Sequence, residues 1–190
     1  MKIMPDKTIS LWRVLMTVLL LLLVAVTLLL LGGFLFSRMP GNSYKGSPAS
    51  FTTEDNQLKQ RLQTHVEILA GTIGERNIWR PEALNRAAEY IKTDLEQSGY
   101  AVTEQLYQVG GIHCRNLIAE LHGTSLADEI LIVGAHYDTV PGTPGANDNG
   151  SGIALLLEAA REMAGSIPDR TIRFVAFVNE EPPFFKTAEM

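Results

Sequence analysis

The sequence contains one cysteine, Cys114. A single thiol excludes an internal disulfide and leaves no Cys partner for a thiolate zinc site, so a small buried hydrophobe is the role expected of it. Aromatic residues are sparse, at 7%, and no basic run interleaves with them; the net charge is −5. This balance lacks the electrostatic footprint of a nucleic-acid binder. Internal repeats are absent too. Histidine is scarce, with four in 190 residues, and only one of them falls among acidic residues at the end of an apolar run.

Charge is missing altogether between Arg13 and Arg38. Within that gap residues 14–31 read VLMTVLLLLLVAVTLLLL, followed by Gly32, Gly33, Phe34, Leu35 and Phe36. At ~1.5 Å per residue an uncharged helix of this length spans a ~30 Å hydrocarbon core. A cleaved signal peptide carries a shorter apolar core of about 7–15 residues and a small-x-small cleavage site. Here the core is longer and no such site stands out, so residues 14–36 are expected to form a transmembrane signal anchor. Lys2, Lys7 and Arg13 precede the span against Asp6 alone, while Arg38 and Lys45 follow it. That bias predicts a cytoplasmic tail over 1–13 and everything after the span on the periplasmic or exterior side. Residues 37–50, rich in Gly, Ser and Pro, are expected to be a linker. A folded domain follows over 51–190.

Thr52 or Thr53 suits the cap of a first helix carrying Leu58, Leu62, Val66 and Leu69, with Gly71 as its stop. Pro81 suits the first turn of a second, with Leu84, Ala88, Ile91 and Leu95 as its buried stripe and Gly99 beyond it. Strand character follows over 100–109 and 116–121, with a turn over 123–128. His65, His113 and His122 lack ligand spacing and are expected to be surface or packed residues.

The most informative stretch runs from Ile130 to Glu181. Residues 131–135 and 172–178 are apolar runs long enough for buried strands. Between them Ile153, Ala154, Leu156, Leu157, Ala160 and Met163 recur at helical spacing. Strand–helix–strand with this crossover predicts a parallel, right-handed unit, with ligands bound beyond the carboxyl ends of its strands. His136 and Asp138 fall past the first strand, Asn179, Glu180 and Glu181 past the second, and Asp148 in the Gly-rich loop leading into the helix. Each piece alone has a bland explanation: a satisfied histidine, an Asn/Asp capping loop, a solvated acidic pair. Together His136, Asp138, Asp148, Glu180 and Glu181, five ionisable groups at one sheet edge, point to a metal.

Mixed imidazole and carboxylate donors suit zinc, with manganese or cobalt as substitutes. In this reading His136 is a ligand and Asp138 its orienter. Asp148 can offer both oxygens, to one or two ions. Adjacent glutamates in extended chain point to opposite faces, so one can bind metal while the other moves a water proton. The loop PGTPGANDNGSG has no G-K-[ST] ending, no dinucleotide fingerprint and no G-x-S-x-G around Ser151. Its glycines are expected to bend the backbone so that Asp148 faces the metal.

The runs GAHYDT (134–139), GANDNGSG (145–152) and NEEPPFF (179–185) together resemble the M28 family of zinc peptidases, mostly aminopeptidases. The resemblance covers roughly Leu58 onward. It implies an α/β fold of the zinc-peptidase, phosphorylase/hydrolase-like kind: a mostly parallel sheet flanked by helices, here preceded by one transmembrane helix. It also implies two zinc ions, with His136 on one, Asp148 bridging, Glu181 on the other, Glu180 as general base and Asp138 orienting His136. The family completes its site with one more Asp and one more His further along the chain, whereas this sequence stops at Met190, nine residues after Glu181. The expectation is therefore the N-terminal part of a peptidase domain, with strand 172–178 less covered than its apolar character demands.

The resulting functional expectation is a membrane-anchored, zinc-dependent exopeptidase of aminopeptidase type acting on peptides. A catalytically inactive, membrane-tethered binding module is the alternative, and related dizinc folds that cleave or cyclise other amides are a third reading. Side-chain preference and oligomeric state have no signal in this stretch.

Overall fold

The computed structural model describes residues 11–38, 41, 45–47 and 50–189. The chain divides into two compact units, Met1–Ala49 and Ser50–Met190. Lys2 and Lys7, on which the orientation argument partly rests, lie outside the described residues, as does half of the 37–50 linker.

Among the described residues the first unit contains one helix, α1 (Leu11–Ser37), of 27 residues with mean hydropathy 3.2 and no buried residue. It is long and apolar enough to cross a membrane. Its few hydroxyls are satisfied internally: Thr17 donates to the Arg13 carbonyl, Thr27 to Leu23 and Ser37 to Gly33, each at 2.8 Å. Such back-bonding removes the cost of a bare hydroxyl in hydrocarbon.

The second unit begins with α2 (Thr53–Val66), capped by Thr52 in a reciprocal box with Asp55. Gly71 does not stop the helical path. The backbone widens into a π-helical stretch, Glu67–Ile73, and ends where the Gly74 amide reaches the Leu69 carbonyl at 3.0 Å. The wider turn keeps Leu69 fully buried. Helix α3 (Pro81–Gln97) starts on Pro81 and buries Leu84, Ala88, Ile91 and Leu95 as its spacing requires.

Four strands follow: β1 (Val102–Val109), β2 (Ile112–Leu121), β3 (Leu126–His136) and β4 (Arg170–Phe177), with α4 (Ser151–Met163) between the last two. Three of them, β2, β3 and β4, start before the stretches read from the sequence. Strand β2 starts four residues before Asn116, and β3 begins at Leu126, inside the expected turn, across an irregularity between Leu126 and Ile130. The sheet order is β1-β2-β4-β3. Strands β3 and β4 run parallel, as the crossover demands, but β1–β2 and β2–β4 are antiparallel. The α/β class holds, and among the described strands the sheet is mixed rather than mostly parallel.

Helices α3 and α4 pack on the sheet and touch one another, which puts them on one face, and α2 packs against α4. Their apolar sides meet Leu117, Ala119, Phe174 and Ala176 in one core. The expectation that residues 172–178 lie poorly covered is reversed. Strand β4 is central, and Ile172, Phe174, Val175, Ala176 and Val178 are buried. Of the parallel pair the exposed strand is β3, at one edge of the sheet, where Ile130, Leu131 and Ile132 are 46, 54 and 56% accessible. Consecutive residues of a strand face opposite sides, so both faces of β3 are open there.

Candidate metal centre

The parallel pair β3–β4 carries its chemistry at the carboxyl ends. His136 closes β3, paired with Phe177 of β4, and Asp138 lies two residues on. Asn179 ends the extended run of β4 with φ 62°, a left-handed conformation that Asn tolerates better than most residues. That turn changes the geometry expected of the glutamates. Glu180 and Glu181 do not diverge onto opposite faces; each offers an oxygen that, with a ring nitrogen of His136, forms a group whose atoms all lie within 4.8 Å of one another.

His136 Nε2 lies 3.0 Å from Asp148 Oδ1 and 3.6 Å from Glu180 Oε2. Its other nitrogen, Nδ1, is buried 3.4 Å from Asp138 Oδ1 without an aligned hydrogen bond. Nε2 therefore faces the acidic cluster and Nδ1 faces Asp138. Asp138 itself is buried and has a second task the sequence did not reveal: its Oδ1 accepts from the Glu180 amide and its Oδ2 from the Glu181 amide, both at 3.2 Å. One carboxylate thus ties the end of β3 to the backbone of both glutamates. Asp148 is the exposed member, 73% accessible at its side chain, on a turn over 146–150 whose Asp148 and Asn149 depart from helical geometry.

Four carboxylates around one imidazole form a cation site in electrostatic terms. Burial disfavours the imidazolium, yet Asp138, Glu180 and Asp148 together outweigh it and push His136 up to about 9. Burial, with Asp148 next to it, holds the Glu181 carboxyl above its usual range. The rise of His136 reflects the negative charge gathered around it, whereas that of Glu181 is first a matter of burial. The donor set, one imidazole nitrogen with carboxylate oxygens converging on it, fits zinc.

Arg76 was not legible in the sequence. It is fully buried, and its guanidinium donates to the carbonyls of Tyr137, Pro144 and Gly145, among others. A loop arginine bonded only to backbone has no spacing signature. His65 is a packed residue, as expected: Nδ1 meets the Tyr90 hydroxyl at 2.6 Å and Nε2 meets Glu158 at 3.1 Å. The Cys114 thiol is buried, and burial raises it above the usual thiol range, in keeping with an unreactive role.

Comparison with known proteins places this geometry. Residues 116–185 match the model of Peptidase family M28, a segment that contains the whole cluster. The uncharacterized protein YfbL of Escherichia coli is 36% identical over 147 residues, covering 73% of this chain and 45% of that protein. Aminopeptidase YwaD of Bacillus subtilis is 55% identical over 53 residues, 28% of this chain and 12% of that one. The chain thus spans less than half the length of these curated relatives. In three dimensions it is similar to BSAP, a zinc aminopeptidase from Bacillus subtilis, with a TM-score of 0.59 at 16% identity over 64% of this chain and 61% of that one, a likeness of fold. Residues 116–185, which hold His136, Asp148, Glu180 and Glu181, are thus the segment of this chain that matches Peptidase family M28.

Proposed function

We propose that this chain is the membrane-anchored part of a zinc-dependent exopeptidase of aminopeptidase type. The observation that carries the reading is the convergence of His136 with Asp148, Glu180 and Glu181 on one strand edge. The family match and the similarity to an aminopeptidase support it. In this reading His136, Asp148 and Glu181 would hold zinc. Bound there, zinc would supply Lewis acidity, the chemistry that polarises a carbonyl and lowers the pKa of water. Glu180 takes the proton from the attacking water and passes it to the leaving amine. Asp138 contributes position: it faces the far nitrogen of His136 and holds the backbone of both glutamates.

Anchoring rests on α1, and orientation on the basic bias of Lys2, Lys7 and Arg13. It puts 51–190, the peptidase portion, outside the cytosol, the linker over 37–50 giving it reach.

The test is Glu180→Gln in the full-length protein, assayed on aminoacyl anilides and their N-acylated counterparts. Turnover of the free-amine substrates should fall by about 10²–10⁴-fold, while zinc stoichiometry stays that of the parent. Retained turnover removes Glu180 from proton transfer. A parent protein that binds no zinc ends the metallopeptidase reading, and preference for acylated substrates ends the aminopeptidase one.

A further inference from the structure

Arg76 belongs to none of the roles above, yet it is among the largest of the fully buried side chains. Its hydrogen bonds run from Nε to Tyr137 O at 2.6 Å, from Nη1 to Leu69 O, Gly74 O and Pro144 O at 3.1, 3.1 and 2.7 Å, and from Nη2 to Gly145 O at 3.0 Å. All five acceptors are backbone carbonyls. They come from three segments: the π-helical turn after α2, the chain just beyond β3, and the loop leading to Asp148. The Arg76 backbone adds a reciprocal pair with Thr139, donating to its hydroxyl at 3.1 Å and accepting from its amide at 3.0 Å.

A buried guanidinium is costly unless its fork is well matched. Burial lowers Arg76 to about 10, with the charge of Asp138 opposing the shift, so it remains a cation at neutral pH. Carbonyls of an irregular loop have no ladder to satisfy them, and this side chain gathers them. The loop is built around it. Gly145 has φ 58°, and a Cβ there would meet the Asp148 carbonyl at 2.7 Å and Arg76 Nη2 at 3.3 Å. The Gly145 carbonyl accepts both from Arg76 Nη2 and from the Gly150 amide, each at 3.0 Å, so it closes the turn that presents Asp148.

We propose that Arg76 is a positioning residue that pins the loop of Pro144 and Gly145 to the end of β3 and thereby sets Asp148 over His136. The consequence for metal affinity rests on the zinc reading above; the pinning does not. Lysine offers three donors from one point and cannot reach three segments with a planar fork. Arg76→Lys therefore keeps the buried charge but loses the span, and Arg76→Met loses both.

The experiment compares the full chain with Arg76→Lys, Arg76→Met and the core variant Leu95→Ala, which destabilises α3 away from the site. In metal-free protein, exchange of the Gly150 amide should accelerate about tenfold or more in Arg76→Lys, the equivalent of one lost charged hydrogen bond. Zinc affinity should fall by roughly 10–100-fold, and more in Arg76→Met. The absorption spectrum of cobalt-loaded Arg76→Lys should change, and that of Leu95→Ala should not. Parent-like exchange and affinity in Arg76→Lys overturn the proposal, as does a matching loss of both in Leu95→Ala. If the parent binds no zinc, the peptidase reading falls and the exchange result alone decides the pinning. Should Arg76→Met fail to fold, Arg76→Lys carries the comparison.

Discussion

Asp138→Asn removes one oxygen and tests whether Asp138 does more than face His136. In the native site each carboxylate oxygen accepts one backbone amide, from Glu180 and from Glu181, at 3.2 Å. Asparagine keeps one acceptor and points an NH₂ at the other amide. Asp138 is 2% accessible, so water does not replace the lost partner. One charge-assisted bond is worth about 1.5–3 kcal/mol, and a stranded buried donor costs about 1–3 kcal/mol in overlapping measure. A net loss of about 2–4 kcal/mol follows. For a unit of this size each kcal/mol shifts the midpoint by about 3–4 °C, so Tm should drop by about 6–16 °C. The assay is thermal unfolding followed by circular dichroism in excess chelator, so that no metal contributes. A midpoint within about 2 °C of the parent refutes the reasoning and reduces Asp138 to a neighbour of His136.

Gly145→Ala should destabilise by about 2–4 kcal/mol, from a left-handed residue that acquires a Cβ and from its contact with the Thr139 side chain and the Asp148 carbonyl; denaturant unfolding checks this, and a loss under about 0.5 kcal/mol contradicts the packing. Glu158 predicts a pH dependence. Burial raises its pKa, but hydrogen bonds from Arg61, His65 and Arg161 outweigh that and hold it below the ordinary carboxylate range, with Tyr90 and Asp94 lining the same pocket. A folded-state pKa below the unfolded value stabilises above the ordinary carboxylate pKa and is lost as pH falls through the depressed one. Glu158→Gln should therefore be less stable than the parent at pH 7, the gap closing in acid; parallel stability curves from pH 7 to 3 would contradict this. Asn179→Ala should lower Tm more than Asn179→Gly, because both lose the buried amide's bonds to the Tyr107 hydroxyl and the Glu189 carbonyl while only alanine adds strain at φ 62°; equal midpoints would show that the turn relaxes at no cost.

The sequence by itself determined the elements and their polarity. Apolar runs over 131–135 and 172–178 with a helical stripe between them specify a parallel unit, and chain direction then puts His136, Asp138, Glu180 and Glu181 at one end of it. Proline at the start of α3 and Thr52 before α2 mark helix starts by local chemistry. Lateral order was not legible. Nothing in residues 172–178 says that β2 pairs with one side of β4 and β3 with the other, so β4 was expected to be poorly covered, whereas it is central and β3 lies at an edge. Gly71 was a plausible stop because a stop signal is local, while the pull of a buried Leu69 is not. Only tertiary structure decided how the site is held. The convergence of Glu180 and Glu181 depends on a left-handed Asn179, the second task of Asp138 on amides 42 and 43 residues away, and the role of Arg76 on carbonyls up to 69 residues away. Side-chain identities announce a metal site because its donors must be of a few types. The backbone groups that position those donors are common to every residue, and only the folded chain shows which of them meet.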